Sequence, residues 1–235
     1  MKTLSPLPDW DTLAGRVLDA FFAAVHEQMP DYDLPLTVFG SAPIQLCLDA
    51  SFTSADVDIM VLGGDVKLRE IAAQAGVGRS GSLRPAYGVQ ICHAQLFRPT
   101  PHYLQRAHVE TRHGLKIIVP HLRDILIGKL HRSRHEGQTG LVPKDLRAFQ
   151  RVRELCGGHP TLAEFLEDLV SMESSFRPPL DGSLNSFRFN VEDALSSIYR
   201  HSFDLQRDIL TPAASGSQPP VSPAAGTVAQ MLGQL

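Results

Sequence analysis

The segment from residue 38 to residue 61 constrains the fold of this chain more than any other part of the sequence. It runs Val-Phe-Gly-Ser-Ala-Pro-Ile-Gln-Leu-Cys-Leu-Asp-Ala-Ser-Phe-Thr-Ser-Ala-Asp-Val-Asp-Ile-Met-Val. This pattern predicts a strand that ends at Gly40, a Gly-Ser turn, a short helix, a loop, and a second strand that begins with Asp-Val-Asp. A glycine at the end of the first strand permits a sharp turn and lets the backbone come close to a ligand.

The two acidic residues of the second strand form a candidate metal site. Asp56 and Asp58 are two residues apart, so their side chains are expected on one face of the strand. Carboxylates placed together repel each other unless a cation lies between them, and hard oxygen ligands suit Mg²⁺. Gly40 and Ser41, followed by the start of a helix, are typical of a phosphate site. A lone Gly-Ser or Asp-x-Asp carries little information, but their conjunction favours the functional interpretation.

Residues 38–61 resemble the signature of the polymerase-β-like nucleotidyltransferase superfamily, in which Gly-Ser or Gly-Gly, a helix and Asp-x-Asp follow in order. Residues 52–58 are similar to the Arg-x-Thr-x-Asp-Ile-Asp run of its small bacterial members, which include toxin components of toxin–antitoxin systems. Phe52 stands where these members commonly have Arg, and Ser54 stands where they have Thr.

The resemblance implies a metal-dependent nucleotidyltransferase. Gly40 and Ser41 would bind the phosphates of a nucleoside triphosphate, and Asp56 and Asp58 would hold Mg²⁺. A nucleoside monophosphate would pass from the triphosphate to a hydroxyl acceptor, either an RNA end or a protein side chain. The toxin-type members imply, in addition, an antitoxin-like partner.

A weaker resemblance covers residues 114–130 and the Lys144-Asp145 pair. In the toxin-like members a strand leads into a helix that carries a Lys, and a Lys-Asp or Arg-Asp pair follows downstream. On this match Lys129 would contact the triphosphate, and Asp145 would be a polar or catalytic residue. The alternative for Lys129 is a solvated side chain on an amphipathic helix.

The third carboxylate of the family has no evident counterpart. Active members carry it on a later strand, as a base for the attacking hydroxyl or as a further metal ligand. The predicted strand over residues 89–97 contains no acid, and Gln95 stands where the carboxylate is expected. Glutamine is uncharged and does not titrate. Either Glu110 or Asp145 substitutes, or the protein is a catalytically impaired relative that binds nucleotide or acts as an interaction module.

A basic stretch covers residues 121–153, where eight Lys or Arg face three acidic residues, a local excess of five positive charges. Such a stretch attracts triphosphate or RNA, or it is a salt-bridged helical surface. A third hypothesis is therefore an RNA-binding protein whose motif matches are incidental. The aromatic content of the stretch over residues 121–153 does not indicate base stacking. His131 and His135 are four residues apart, but a zinc site needs a third ligand, and none is evident.

Composition is that of a globular chain, with 235 residues, 43% hydrophobic and 20% charged residues, and a net charge of −3. Cys47, Cys92 and Cys156 are widely spaced, which indicates neither a disulfide framework nor a metal site. No run approaches the ~18–20 apolar residues of a membrane span. We therefore expect a cytoplasmic protein without a membrane partner.

The sequence predicts an α/β nucleotidyltransferase-like domain over residues 10–155, with a mixed sheet flanked by helices. A helical C-terminal extension over residues 156–210 and a disordered tail over residues 211–235 follow, since the tail is rich in Pro, Ala, Ser and Gly and has no charge. The predicted helices cover residues 9–29 (capped by Asp9 or Asp11), 42–50, 66–75, 122–134, 144–155, 161–174 and 190–208, and the predicted strands cover residues 35–39, 56–62, 89–97 and 115–119.

Overall fold

The protein has a mixed α/β fold in a computed structural model that describes residues 2–4, 7–63, 66–79 and 85–211. This confirms the predicted class of a mixed sheet flanked by helices. The tail predicted over residues 211–235 lies, after its first residue, outside the described residues. No helix of the described residues is long and apolar enough to cross a membrane.

Six strands within the described residues form one mixed sheet with the order β3-β4-β2-β1-β6-β5. Strand β1 is antiparallel to β2 and parallel to β6, β2 is parallel to β4, and the edge strands β3 and β5 are antiparallel to their neighbours. The strands are β1 (Leu36–Phe39), β2 (Asp56–Val61), β3 (Gly76–Arg79), β4 (Pro85–His93), β5 (His108–Arg112) and β6 (Leu115–Val119).

Three of the predicted strands, β1, β2 and β6, are confirmed, whereas the strand predicted over residues 89–97 begins and ends four residues earlier. The two edge strands were not predicted. Strand β3 contains two glycines in four residues, and β5 is mostly polar. Edge strands need no apolar face on both sides, so their hydrophobic signal is weak.

The helices follow the predicted order with one short addition at Tyr103–Arg106, and all but the helix predicted over residues 144–155 are shorter than predicted. They are α1 (Leu13–Gln28), α2 (Ala42–Cys47), α3 (Val66–Gln74), α4 (Tyr103–Arg106), α5 (Leu122–Leu130), α6 (Pro143–Leu155), α7 (Leu162–Ser171) and α8 (Ser186–Tyr199), with 3₁₀ turns at Ala94–Leu96 and Glu173–Phe176 and a π turn at Gln206–Leu210.

The helix ends explain most of these differences. The side chain of Thr12 caps α1 by accepting from Gly15 N, so the predicted caps Asp9 and Asp11 were wrong. Thr161 and Glu164 form a capping box at the start of α7, which begins one residue later than predicted. The helix predicted over residues 190–208 ends at Tyr199, because Arg200 adopts a left-handed conformation with φ of 56°.

The sheet separates two apolar cores. On one face, α1 and α3 pack against Val57, Ile59 and Val61 of β2. On the other face, Met60 of β2 joins the core formed with α5, α6, α7 and α8. Because side chains alternate along a strand, Asp56 and Asp58 lie on the face that α5 and α6 cover.

The helices of the 156–210 segment share this second core with α5 and α6. Phe165 of α7 meets Phe149 of α6 edge to face at 5.7 Å, and Val191 of α8 belongs to the same cluster. The prediction of a separate extension at residue 156 stays untested, but its helices pack directly against the helices that carry the candidate site.

A buried ion-pair network joins the helix α5 to α4 and α7. Asp124 is fully buried and accepts from the backbone N and hydroxyl of Thr100 and from Arg106, while Arg106 and Arg123 both contact Asp168. Charges buried in this way are tolerated only with full pairing, and removal of one partner leaves the others unpaired.

We expect Asp124→Ala to lower the free energy of unfolding by about 3–5 kcal/mol, because Arg106 and the Thr100 N–H lose their buried acceptor. Urea denaturation measures this change. The matched control is Glu167→Gln, which removes a mostly exposed partner of Arg123 and should cost less than about 1 kcal/mol. Equal costs for the two variants would contradict the account of the network.

Candidate functional site

The turn after β1 lies directly against the carboxylate of Asp58. Phe39 pairs with Asp58 across the antiparallel β1–β2 ladder, so the next residue, Gly40, reaches the same side chain. Gly40 has φ of 71°, and a Cβ added there would lie 2.1 Å from Asp58 Oδ2. Both the backbone conformation and the contact therefore require glycine at this position.

Burial and a neighbouring negative charge raise the pKa of Asp58 to about 6. Loss of hydration is the larger cause, and repulsion by Asp56 is the next. The positive charges of Lys144 and Lys129 act in the opposite direction. The Asp58 carboxylate is thus harder to ionise than a solvated one, and a cation beside it would offset its lost hydration.

Lys129 is buried beneath the Gly-Ser turn. Its side chain is 5% exposed, and Nζ donates to Ser41 Oγ at 3.1 Å and to Asp145 Oδ1 at 3.3 Å. Burial lowers the pKa of Lys129, and the Asp145 carboxylate opposes this effect. The alternative of a solvated Lys on a helix surface is therefore wrong.

Asp145 holds two cations in place. It is 1% exposed, and its two carboxylate oxygens accept from Lys129 and from Arg132, whose Nε lies 2.5 Å from Oδ2. The Arg132 side chain remains 48% exposed, so its guanidinium can also reach a ligand. Asp145 thus pairs with both cations, and its catalytic role stays a prediction.

The position beside Asp58 on the neighbouring strand carries no acid. Gln90 of β4 is the register partner of Asp58, and Cys92 Sγ lies 3.7 Å from Asp58 Oδ1. Burial raises the pKa of Cys92 to about 12, with Asp58 adding to the effect. The thiol therefore stays protonated, and neither side chain supplies a negative charge next to Asp58.

Gln95 was the wrong candidate for this position. It lies after the end of β4, in the Ala94–Leu96 turn, and is exposed. Glu110 cannot substitute, because it lies on the edge strand β5, three strands away from β2, and contacts His108 and Arg112. Strand β4 was predicted four residues too far along the chain, and the expected position of the third carboxylate moved with it.

The helix after the turn contributes less to phosphate binding than its sequence predicts. α2 has only six residues, and Pro43 removes one backbone N–H from its first turn. A short helix has a small dipole. The candidate phosphate contacts are therefore the Ser41 hydroxyl, Lys129 and Arg132.

The donor set fits Mg²⁺ better than zinc. The described residues contain no group of three His, Cys, Asp or Glu side chains that could hold a metal. Mg²⁺ is commonly bound by one or two carboxylates, with waters and substrate phosphates completing the coordination, so Asp56 and Asp58 would be the protein ligands of such an ion. His131, considered for zinc, stacks on Phe187 at 4.1 Å instead.

Most of the basic stretch over residues 121–153 is paired. Arg123 contacts Asp168, Arg134 contacts Asp193, and Arg151 contacts Asp49. Lys144 and Arg147 make no ion pair within the described parts of the chain. The salt-bridged alternative thus applies to much of the stretch, including Lys129 and Arg132, which pair with Asp145, and Lys144 and Arg147 are exceptions.

Arg132 contacts Asp145 but was not identified from the sequence, whereas Lys144 was named there only as part of the Lys144-Asp145 pair. Arg132 follows Lys129 by three residues, which places both on one side of a helical turn. This three-residue spacing was the sequence feature that could have identified Arg132.

No family model, curated protein or solved structure matches this chain. The functional argument therefore depends on the geometry of the site. Gly40, Ser41, Asp58, Lys129 and Asp145 form one contiguous cluster, and Asp56 influences it through its charge.

The raised pKa of Asp58 predicts that its charge destabilises the metal-free protein. The folded state keeps the Asp58 proton up to a pH of about 6, whereas the unfolded chain loses it near pH 4. Stability should therefore fall as the pH rises between these values and stay low above them. In EDTA at neutral pH, Asp58→Asn should be more stable than the native chain by about 2 kcal/mol.

Urea denaturation at neutral pH and at about pH 4 measures this difference, which should disappear at the lower pH because both side chains are then uncharged. A destabilised Asp58→Asn variant at neutral pH would contradict the proposed electrostatics.

Proposed function

We propose that this chain is a metal-dependent nucleotidyltransferase that transfers a nucleoside monophosphate from a nucleoside triphosphate to a hydroxyl acceptor. The observation that carries the proposal is the contact of the Gly40 turn with the Asp58 carboxylate. This contact joins a candidate phosphate-binding turn to a candidate metal ligand. The acceptor is an RNA end or a protein side chain.

The residues around the turn would bind the triphosphate. The Ser41 hydroxyl, Lys129 and Arg132 supply hydrogen-bond donors, of which two are fixed charges held by Asp145. Fixed donors stabilise the charge that develops on a leaving pyrophosphate without reorganising. Lys144 lies close enough to Asp58 to lower its pKa and adds positive charge to the same cluster.

Asp56 and Asp58 would hold Mg²⁺ together with the phosphates. The bound ion would neutralise phosphate charge and help to orient the reacting phosphoryl group. The two carboxylates repel each other, which destabilises the folded state. A bound cation would reduce this repulsion. Most of the rate enhancement in phosphoryl transfer comes from positioning and charge stabilisation.

The alternative proposal is a nucleotide-binding or interaction module without efficient catalysis. Gln90 and Cys92 occupy the strand next to Asp58, and neither can accept a proton from an attacking hydroxyl at neutral pH. Turnover would then depend on proton release to water. A toxin-type role and an antitoxin-like partner stay predictions of the resemblance, and a cytoplasmic location stays a prediction from the cysteine and hydropathy patterns.

Gly40→Ala tests the proposed phosphate and metal site. The new methyl group would collide with Asp58 Oδ2, so we expect Mg²⁺-dependent nucleotide affinity to fall by about tenfold or more, equivalent to ~1.4 kcal/mol. Isothermal titration with the four nucleoside triphosphates, with Mg²⁺ and with EDTA, measures the affinity.

The matched control is Gly137→Ala, since Gly137 has φ of 73° and a Cβ there meets no atom within 4 Å. Both variants carry similar backbone strain, and only the first disturbs Asp58. Transfer from α-labelled nucleotide to an RNA or protein pool then separates enzyme from binder. Absence of Mg²⁺-dependent nucleotide binding in the native chain would exclude the transferase and the nucleotide-binding module and leave only the interaction module.

A further inference from the structure

A groove of about 350 Å³ lies between the loop of residues 49–53 and the helix α6. Its size is within the range of pockets that accommodate small ligands. The loop leads directly into β2, so the groove begins close to Asp56. Lys144 lines the groove and is followed by Asp145, which pairs with Lys129 and Arg132. The groove is therefore lined by residues that adjoin the candidate nucleotide site in the chain.

One wall of the groove carries a basic stripe, defined as Lys144, Arg147 and Arg151. These residues occur three and four positions apart on α6, so they lie along one face of the helix. The buried residues Asp145, Ala148, Phe149 and Val152 occupy the opposite face. The stripe extends over about 10 Å of helix.

The charge of the stripe is graded along the groove. Arg151 is paired with Asp49 and Glu154, which also line the groove, so this end has an excess of negative charge. Lys144 and Arg147 make no ion pair within the described ranges of the chain. An anionic ligand is therefore favoured at the end that carries Lys144 and Arg147 and is disfavoured at the end that carries Glu154.

The opposite wall carries the half-buried aromatic ring of Phe52 and the hydroxyls of Ser51 and Thr53. Phe52 stands where the similar sequences commonly have Arg, so an aromatic surface replaces a charge. A basic wall that faces an aromatic side chain is the arrangement by which proteins bind single-stranded nucleic acid: cations contact the backbone and rings stack on bases.

We propose that this groove binds the hydroxyl-bearing end of a single-stranded polynucleotide, with Lys144 and Arg147 on its phosphates and Phe52 against a base. This inference rests on the proposed function, because it names the acceptor of the transfer. The limited length of the unpaired stripe restricts the contact to the last one or two nucleotides. An acidic peptide would use the cations but not the ring.

Fluorescence anisotropy tests the inference with labelled single-stranded RNA and DNA of about ten nucleotides, within the size of known single-strand sites. The experiment is done without nucleotide or metal, so its result does not depend on triphosphate binding. Arg147→Gln should weaken binding and reduce the slope of log affinity against log salt by about 0.7, as expected for loss of one phosphate contact.

Phe52→Leu keeps an apolar side chain but removes the ring, so it should weaken binding by roughly tenfold with little change in the salt slope. The matched control is Arg16→Gln, which removes one exposed charge from α1 on the other face of the sheet. This control should bind the oligonucleotides like the native chain.

The inference is overturned if neither RNA nor DNA binds, if Arg147→Gln and Phe52→Leu behave like Arg16→Gln, or if polyglutamate competes as well as the oligonucleotides. Loss of oligonucleotide binding with intact Mg²⁺-dependent nucleotide binding would remove the groove assignment alone. Oligonucleotide binding through the groove without nucleotide binding would support the groove and remove the proposed transfer reaction.

Discussion

The antiparallel pairing of β1 with β2 places the backbone of a glycine against a half-buried carboxylate. Phe39 is opposite Asp58, and the turn that follows leaves no space for a side chain at Gly40. Every other part of the candidate site takes its position from this contact: Ser41 follows in the turn, and Lys129 reaches its hydroxyl from α5. The surrounding helices keep Asp58 partly dehydrated, which raises its pKa.

The basic and the acidic residues of this site differ in how their charges are balanced. The cations Lys129 and Arg132 are compensated internally by Asp145, so they stay fixed in the absence of ligand. The acids Asp56 and Asp58 make no ion pair within the described residues, and burial, together with the charge of Asp56, raises the pKa of Asp58. Preorganised cations next to uncompensated carboxylates suit a ligand that brings both a negative charge and a metal ion.

The sequence predicts the local parts of this arrangement well and the long-range parts poorly. The Gly-Ser turn and Asp-Val-Asp strand lie within 24 consecutive residues, and their periodicity specifies the faces. The burial of Lys129 depends on the docking of α5 against the turn, and amphipathic pattern alone could not distinguish it from a surface Lys. The position of the family's third carboxylate was expected at Gln95, after the end of β4. This error arose because the extent of β4 is set by its pairing with β2 and β3 rather than by local propensity.

The location of a bound ion and triphosphate tests the central claim most directly. Crystals grown with Mn²⁺ and a non-hydrolysable nucleoside triphosphate analogue would reveal the metal by its anomalous scattering. We predict an anomalous peak coordinated by Asp56 and Asp58, with phosphate oxygens against Gly40 and Ser41 and within reach of Lys129. A metal peak away from both carboxylates, or a triphosphate bound elsewhere on the chain, would contradict the account.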